Sequence, residues 1–141
     1  MKHNGSISQT YRKRDRMAVL EVYRRAKAVA QYPTTTKKLF EIAANLPVSQ
    51  FYISDDSALL YVRNRMFRDI KPSFMSPYKQ KLFEALYDLV STMMQDEKYA
   101  SQGLASTTII ALSRPAPCIG LTPTVIFQKY LKAQQQKKHK P

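Results

Sequence analysis

The chain of 141 residues is poor in residues that many stabilising and catalytic sites require. Cys118 is the only cysteine, which excludes an intramolecular disulfide and a zinc site built from several thiolates. Only three glycines are present and β-branched residues do not alternate in long runs, which argues against an all-β fold. No run approaches the roughly 18 consecutive apolar residues of a membrane span, and the polar residues 1–9 lack the apolar segment of a secretory signal. We therefore expect a cytoplasmic protein.

The sequence also lacks the patterns that mark most enzyme sites. It contains no glycine-rich phosphate loop, no HExxH zinc motif and no nucleophile elbow. His3 and His139 have no partners at catalytic or metal-ligand spacing, and helix capping accounts for the adjacent Asp55 and Asp56. These observations predict a protein that is not an enzyme and has no metal site and no cofactor.

Acidic residues are scarce relative to basic ones. The chain has 23 Lys and Arg against 10 Asp and Glu, a formal net charge of +13. When the sequence is divided at residue 70, 13 basic and 6 acidic residues precede the division, and 10 and 4 follow it. A field of this sign attracts phosphate backbones, anionic lipid surfaces or acidic proteins. A basic surface that only keeps the chain soluble is the alternative interpretation.

Apolar residues spaced three and four apart predict an all-α fold with about six helices. Ser54, Ser76 before Pro77, and Thr122 before Pro123 are placed to cap three of them. The expected helices cover residues 11–30, a short stretch that Thr34 or Thr35 caps, and residues 55–68, 77–95, 104–113 and 123–133. A loop is expected at residues 96–103.

The chain contains a candidate internal repeat. Residues 42–54 align with residues 110–122 at an offset of 68, which superimposes Pro47 on Pro115, and the preceding long helices align at an offset of 64. Each half then reads as a long helix, a short helix, a proline turn and a capped third helix. This pattern predicts two tandem trihelical units, with the question of a shared core left open. The predicted segments are a flexible N-terminal arm at residues 1–10, units at residues 11–70 and 71–133, and a basic tail at residues 134–141.

The proline motif also carries a resemblance to known proteins. Residues 47–58 have the order proline, aromatic, tyrosine, aliphatic residue and capping hydroxyl, and residues 115–126 have a weaker form of it. This order resembles a group of small basic proteins of no known activity from Bacteroidetes-type bacteria and their mobile elements. The second copy departs from the pattern, with Gly120 in place of the tyrosine and Ile126 in place of the alanine. The resemblance supports the repeat and implies no activity.

Three helices with a tight turn before the last one form the shape of helix-turn-helix DNA readers. Residues 41–50 resemble such a turn, but Pro47 replaces the turn glycine and Asp56 falls where a buried apolar residue is expected. A variant turn with a longer connector is therefore favoured. Phe51, Tyr52 and Tyr61 have the chemistry to stack on unpaired bases, although packing in the core is the favoured interpretation.

Together these features predict a DNA-binding protein that contacts phosphates through basic helices and arms. RNA binding and docking of an acidic protein partner remain alternatives, whereas no membrane partner is expected because no helix joins a cationic face to a large apolar one. The candidate nucleic-acid-binding residues are Arg12, Lys13, Arg14, Arg16, Arg24, Arg25, Arg63, Arg65, Arg68, Lys129 and Lys132.

Overall fold

The computed structural model describes residues 3–30, 34–70 and 75–139, and the side chains of residues 15–30, 34–70 and 75–135. Within these residues the fold is all-α, as predicted. The helices are α1 (His3–Val29), α2 (Thr36–Asn45), α3 (Asp55–Arg63), α4 (Pro77–Met93), α5 (Glu97–Ala100), α6 (Leu104–Leu112) and α7 (Pro123–His139), and a π-helical turn, Asn64–Arg68, continues α3. None of the described helices combines the length and apolar composition that a transmembrane segment requires.

Side-chain hydroxyls cap the N-termini of four helices. Those of Thr35, Ser54 and Ser76 each accept a hydrogen bond, 3.2 Å long, from the backbone N–H three residues ahead. Thr122 does the same for α7, accepting from the N–H of Val125 at 3.3 Å. Each bond satisfies one of the backbone donors that a helix leaves unpaired at its start. The predicted starts of α2, α3, α4 and α7 are thereby confirmed.

The structure differs from the predicted elements at the ends of the chain and in one loop. α1 begins at His3, so the predicted arm is helical from that residue onward, and α7 continues through the predicted tail to His139. Polar composition alone does not end a helix, and neither segment has a proline within residues 3–10 or 134–139 that would. The predicted loop at residues 96–103 contains α5, which Asp96 caps by accepting from the N–H of Lys98 at 3.0 Å. Tyr32 and Pro33, which follow the predicted first helix, lie outside the described residues.

The helices form two compact units whose composition does not follow the order of the sequence. Unit 1 comprises residues 1–46 and 121–141 and contains α1, α2 and α7, while unit 2 comprises residues 47–120 and contains α3 to α6. This division differs from the predicted one at residue 70, because α3 packs against α4 and α6 whereas α7 packs against α1 and α2. In the predicted repeat, α3 and α7 are equivalent third helices. Unit 1 therefore combines α1 and α2 of the first half with α7 of the second, and unit 2 combines α4 to α6 of the second half with α3 of the first.

Small apolar residues of α1 form the centre of unit 1. Ala18, Val22 and Ala26 are fully buried and four residues apart, so they line one face of the helix. Because these side chains are short, the backbones of α2 and α7 can pack closely against α1. The buried residues of the other two helices are Phe40, Ala43 and Ala44 on α2 and Ile126 and Ala133 on α7.

Unit 2 brings together the two proline segments of the predicted repeat. The N–H of Val48 donates to the carbonyl of Ala116 and the N–H of Ala116 donates to the carbonyl of Val48, each at 3.0 Å. These two residues are the ones that the offset of 68 aligns, so aligned positions pair with each other. The N–H of Phe51 donates to the carbonyl of Leu112 at 3.0 Å, which joins the first segment to the end of α6.

Gly120 gives a physical reason for the departure of the second motif from the first. Its φ is +82°, a conformation that side chains rarely adopt, and a Cβ at this position would lie 2.5 Å from Cδ2 of Leu82. A tyrosine like Tyr52 at the aligned position would need both the backbone and Leu82 to move.

Candidate nucleic-acid interface

The two units carry very different charges. Unit 1 contains 15 basic and 3 acidic residues, a net charge of +12, whereas unit 2 contains 8 basic and 7 acidic residues, a net charge of +1. The similar charges of the two sequence halves arise because a cut at residue 70 groups the arginines of α3 with α1, and the lysines of α7 with α4. The fold therefore places nearly all of the excess positive charge in unit 1.

The last turns of α1 carry exposed cations. Arg24, Arg25 and Lys27 are exposed, and Arg16 is half-buried. Arg25 lies 3.6 Å from the carboxylate of Glu21, one turn earlier, in an exposed pair of the kind that contributes little to stability. Such a pair is easily exchanged for a phosphate. Three further predicted residues lie within α1, but their side chains are outside the described ones: Arg12, Lys13 and Arg14.

Two cations of α2 were not among the predicted residues. Lys37 and Lys38 are both exposed in the first turn of α2, where the helix dipole disfavours positive charge. Helix stability therefore does not account for them. The same argument from the dipole applies to the sequence, which has lysines at the second and third positions after the Thr35 cap.

The two predicted lysines of α7 differ in their surroundings. Lys132 is exposed. Lys129 lies 3.6 Å from Oδ2 of Asp15 on α1, and both side chains of this pair are partly exposed. Asp15 and Glu21 thus each have a basic partner, which leaves Glu41 on α2 as the remaining acidic residue of unit 1. The positive charge of unit 1 is therefore offset by very little negative charge.

An aromatic cluster joins the three helices that carry these cations. The rings of Tyr23 and Tyr130 are stacked with centroids 4.0 Å apart, and Phe40 lies 5.6 Å from Tyr23 and 5.1 Å from Phe127. A hydrogen bond with Tyr23, followed by burial, raises the pKa of Tyr130. Lys27 places its Nζ 5.5 Å from the Tyr23 ring centroid, at cation–π distance. These ring contacts join α1, α2 and α7, the helices that carry the basic side chains.

Arg65 has a guanidinium that is engaged in a part-buried, bidentate ion pair. Its Nε and Nη2 donate to the two carboxylate oxygens of Glu84 on α4, each at 2.9 Å, and Nη1 donates to Asp69 at 2.8 Å. The guanidinium also lies 4.5 Å from the ring centroid of Tyr87, and the side chain is only 11% exposed. Binding a phosphate would break a bidentate ion pair, so we place Arg65 outside the candidate interface.

Tyr61 completes this network from the buried side of α3. Its hydroxyl donates to the Glu84 carboxylate that Arg65 also contacts. Burial, and then the hydrogen bond to Glu84, raises the pKa of Tyr61 to about 12. Tyr61 and Phe51 are buried, as the core interpretation predicted, whereas Tyr52 is half-buried with its hydroxyl 3.3 Å from that of Ser49.

The remaining predicted arginines lie in unit 2, and the predicted helix-turn-helix segment, residues 41–50, spans the boundary between the two units. Arg63 and Arg68 are exposed at the end of α3 and in the π-helical turn. Nine residues, 46–54, separate α2 from α3, whereas a helix-turn-helix uses three or four, and α3 packs in a different unit from α2. The two helices therefore do not form that motif.

Groups with chemical reactivity are few in the described residues. Cys118 is buried, its thiol donates to the carbonyl of Tyr78 at a sulfur–oxygen distance of 3.5 Å, and burial raises its pKa. No three His, Cys, Asp or Glu side chains of the described part are placed to share a metal ion.

Comparison with known proteins gave no match: no family model, no curated protein and no solved structure is similar to the chain.

Proposed function

We propose that the chain is a non-enzymatic DNA-binding protein in which unit 1 contacts the phosphate backbone. The observation that carries the proposal is the net charge of +12 on unit 1 against +1 on unit 2. Basic residues that serve only solubility have no reason to be concentrated in one unit, whereas a phosphate-binding surface requires that concentration.

The individual contacts follow from which side chains are exposed. Among the side chains of unit 1 that the structure describes, the exposed cations are Arg24, Arg25, Lys27, Lys37, Lys38 and Lys132. Their flexible side chains suit the phosphate backbone, which is regular and carries no sequence information. This mode of binding gives affinity and positioning on the duplex with little direct readout of bases.

Four aromatic rings are engaged in contacts within the protein, which favours duplex DNA over unpaired strands as the ligand. The rings of Tyr23 and Tyr130 cover each other in unit 1, and Phe51 and Tyr61 are buried in unit 2. Proteins that bind single strands present ring faces on which bases stack. Since these rings are engaged within the protein, backbone contacts supply the affinity.

The experiment is a fluorescence anisotropy titration of the full chain with duplex DNA, single-stranded DNA and RNA over a series of salt concentrations. If about five of the exposed cations meet phosphates, the logarithm of the binding constant falls with the logarithm of salt with a slope of about −4 to −5. Tightest binding to duplex DNA is expected. A flat salt response, or no binding at low salt, would contradict the proposal, and tightest binding to RNA would reassign the ligand.

Two double variants locate the surface. Lys37→Gln with Lys38→Gln removes two exposed charges from the first turn of α2, and Lys79→Gln with Lys81→Gln removes two from the first turns of α4 in unit 2. The first pair should weaken binding about tenfold and make the salt slope about 2 less steep, while the second should change both little. Equal effects of the two pairs would show that binding is not confined to unit 1.

A further inference from the structure

The outer surface of α3 and of the residues that follow it carries large apolar side chains. Leu60 is 63% exposed, Phe67 72% and Ile70 48%. Asp56 and Arg63, also exposed, lie four residues before and three residues after Leu60 on α3, so the three share one face of the helix. Phe67 follows in the π-helical turn, and Ile70 comes directly after the residue that ends the turn. We call these five residues the α3 stripe.

The π-helical turn holds Phe67 in this exposed position. The turn ends at Asp69, whose φ of 51° and ψ of 39° place it in the left-handed region. Arg65, on the inner side of the turn, is tied both to Asp69 and to Glu84 on α4. Exposure of the Phe67 ring to water is unfavourable. A turn that is anchored by ion pairs and still leaves this ring exposed is typical of a surface that another molecule covers.

The charges of the α3 stripe identify the covering molecule. Asp56 lies four residues before Leu60 and Arg63 lies three residues after it, and neither forms an ion pair with another described residue. If a second α3 runs antiparallel with the two Leu60 side chains in contact, each Asp56 faces Arg63 of the other helix. A parallel arrangement would instead oppose like charges. The stripe is therefore complementary to itself about a two-fold axis.

We propose that the α3 stripe is a homodimer interface, in which two copies of the chain pair their α3 helices in antiparallel orientation. Leu60 packs at the two-fold axis, Phe67 and Ile70 extend the apolar contact at each end, and the Asp56–Arg63 pairs fix the direction. This interface is separate from the proposed DNA binding. It assigns a different function to Arg63, which is one of the residues predicted to bind nucleic acid.

Sedimentation equilibrium of the full chain without nucleic acid, at protein concentrations up to about 1 mM, tests the interface. The unmodified chain should dimerise. Asp56→Lys and Arg63→Glu should each weaken self-association by about tenfold or more, because each places two like-charge pairs in the interface. When the two variants are mixed in equal amounts, both pairs become attractive, so a heterodimer should form about as tightly as the original dimer.

Apolar variants and a folding check complete the test. Leu60→Ser should abolish the dimer, whereas Ile109→Ser, which removes a 40% exposed isoleucine from α6 in the same unit, should leave it unchanged. Circular dichroism would show that each variant is folded. A chain that stays monomeric throughout, or a mixture that does not form the heterodimer, overturns the proposal. Because the assay contains no nucleic acid, either result is independent of the proposed DNA binding.

Discussion

Replacing Arg65 with Met should destabilise unit 2 much more than the same replacement of Arg68, one turn away. The methionine retains most of the apolar stem but removes both hydrogen bonds to Glu84 and the contact with the Tyr87 ring. It also removes the ion pair between Arg65 and the Glu84 carboxylate, which is 33% exposed. Arg68 is exposed and makes no ion pair with another described residue, so it serves as the control.

The size of the effect follows from the burial of each contact. A fully buried ion pair that loses one partner costs about 3–5 kcal/mol, and the one-third exposure of Glu84 lowers this to about 2 kcal/mol because water can solvate the carboxylate. The contact with Tyr87 adds about 0.5–1 kcal/mol, and the bond to Asp69, which is 88% exposed, adds almost nothing. The expected loss is therefore about 2–3 kcal/mol, or a decrease in Tm of about 6–9 °C for a chain of this length.

Urea unfolding followed by far-ultraviolet circular dichroism would measure the loss, at a protein concentration low enough to keep the chain monomeric. A double-mutant cycle with Glu84→Gln should give a coupling free energy of at least about 1 kcal/mol, since the two side chains are in contact. The Arg68→Met control should stay within about 0.5 kcal/mol of the original chain. If Arg65→Met also stays within that limit, or the coupling is zero, the Arg65–Glu84 pair is not what holds the π-helical turn.

Two further predictions concern unit 2. Gly120→Ala should lower the free energy of unfolding in urea by about 2–3 kcal/mol through backbone strain and contact with Leu82. This cost should be smaller in a chain that carries Leu82→Ala, because the 2.5 Å contact with Cδ2 is removed while the backbone strain and the 3.2 Å contact with Cβ remain; an unchanged cost would show that the end of the Leu82 side chain is not the obstacle. Tyr61 has a folded-state pKa of about 12, above its ordinary value of 10.0, so its contribution to stability is complete below pH 10 and is lost as the pH rises toward 12. Tyr61→Phe should therefore flatten the decrease in stability over that pH range, and an equally steep decrease in both chains would contradict the assigned hydrogen bond to Glu84.

The starts of α2, α3, α4 and α7 were predictable because the signals are local. Thr35, Ser54 and Ser76 each cap the helix that directly follows them, and the bond involves an N–H only three residues away. The partners of α3 and α7 were not predictable in the same way. An apolar face shows that a helix is buried but not against which other helix, so the sequence could not reveal that α7 packs with α1 and α2.

The candidate site was predictable only in part for the same reason. Arg24, Arg25 and Lys132 are exposed on unit 1, as a phosphate-binding role requires. Arg65 could not be distinguished from Arg63 and Arg68, because its partner Glu84 lies 19 residues away on another helix. The concentration of charge in unit 1 was hidden as well, since it depends on which helices pack together.

The grouping of the helices also determines the order in which the units can form during synthesis. Unit 2 is one continuous segment, Pro47–Gly120, whereas unit 1 needs helices on both sides of that segment. A chain emerges from the ribosome with its N-terminal residues first. The helices α1 and α2 are therefore synthesised before unit 2, and unit 2 can fold before α7 is available to pack against them. The buried face of α1 then lacks part of its packing until the residues that follow Gly120 have been translated. A ribosome that stalls before α7 would thus release a chain with a complete unit 2 and an unfinished basic surface.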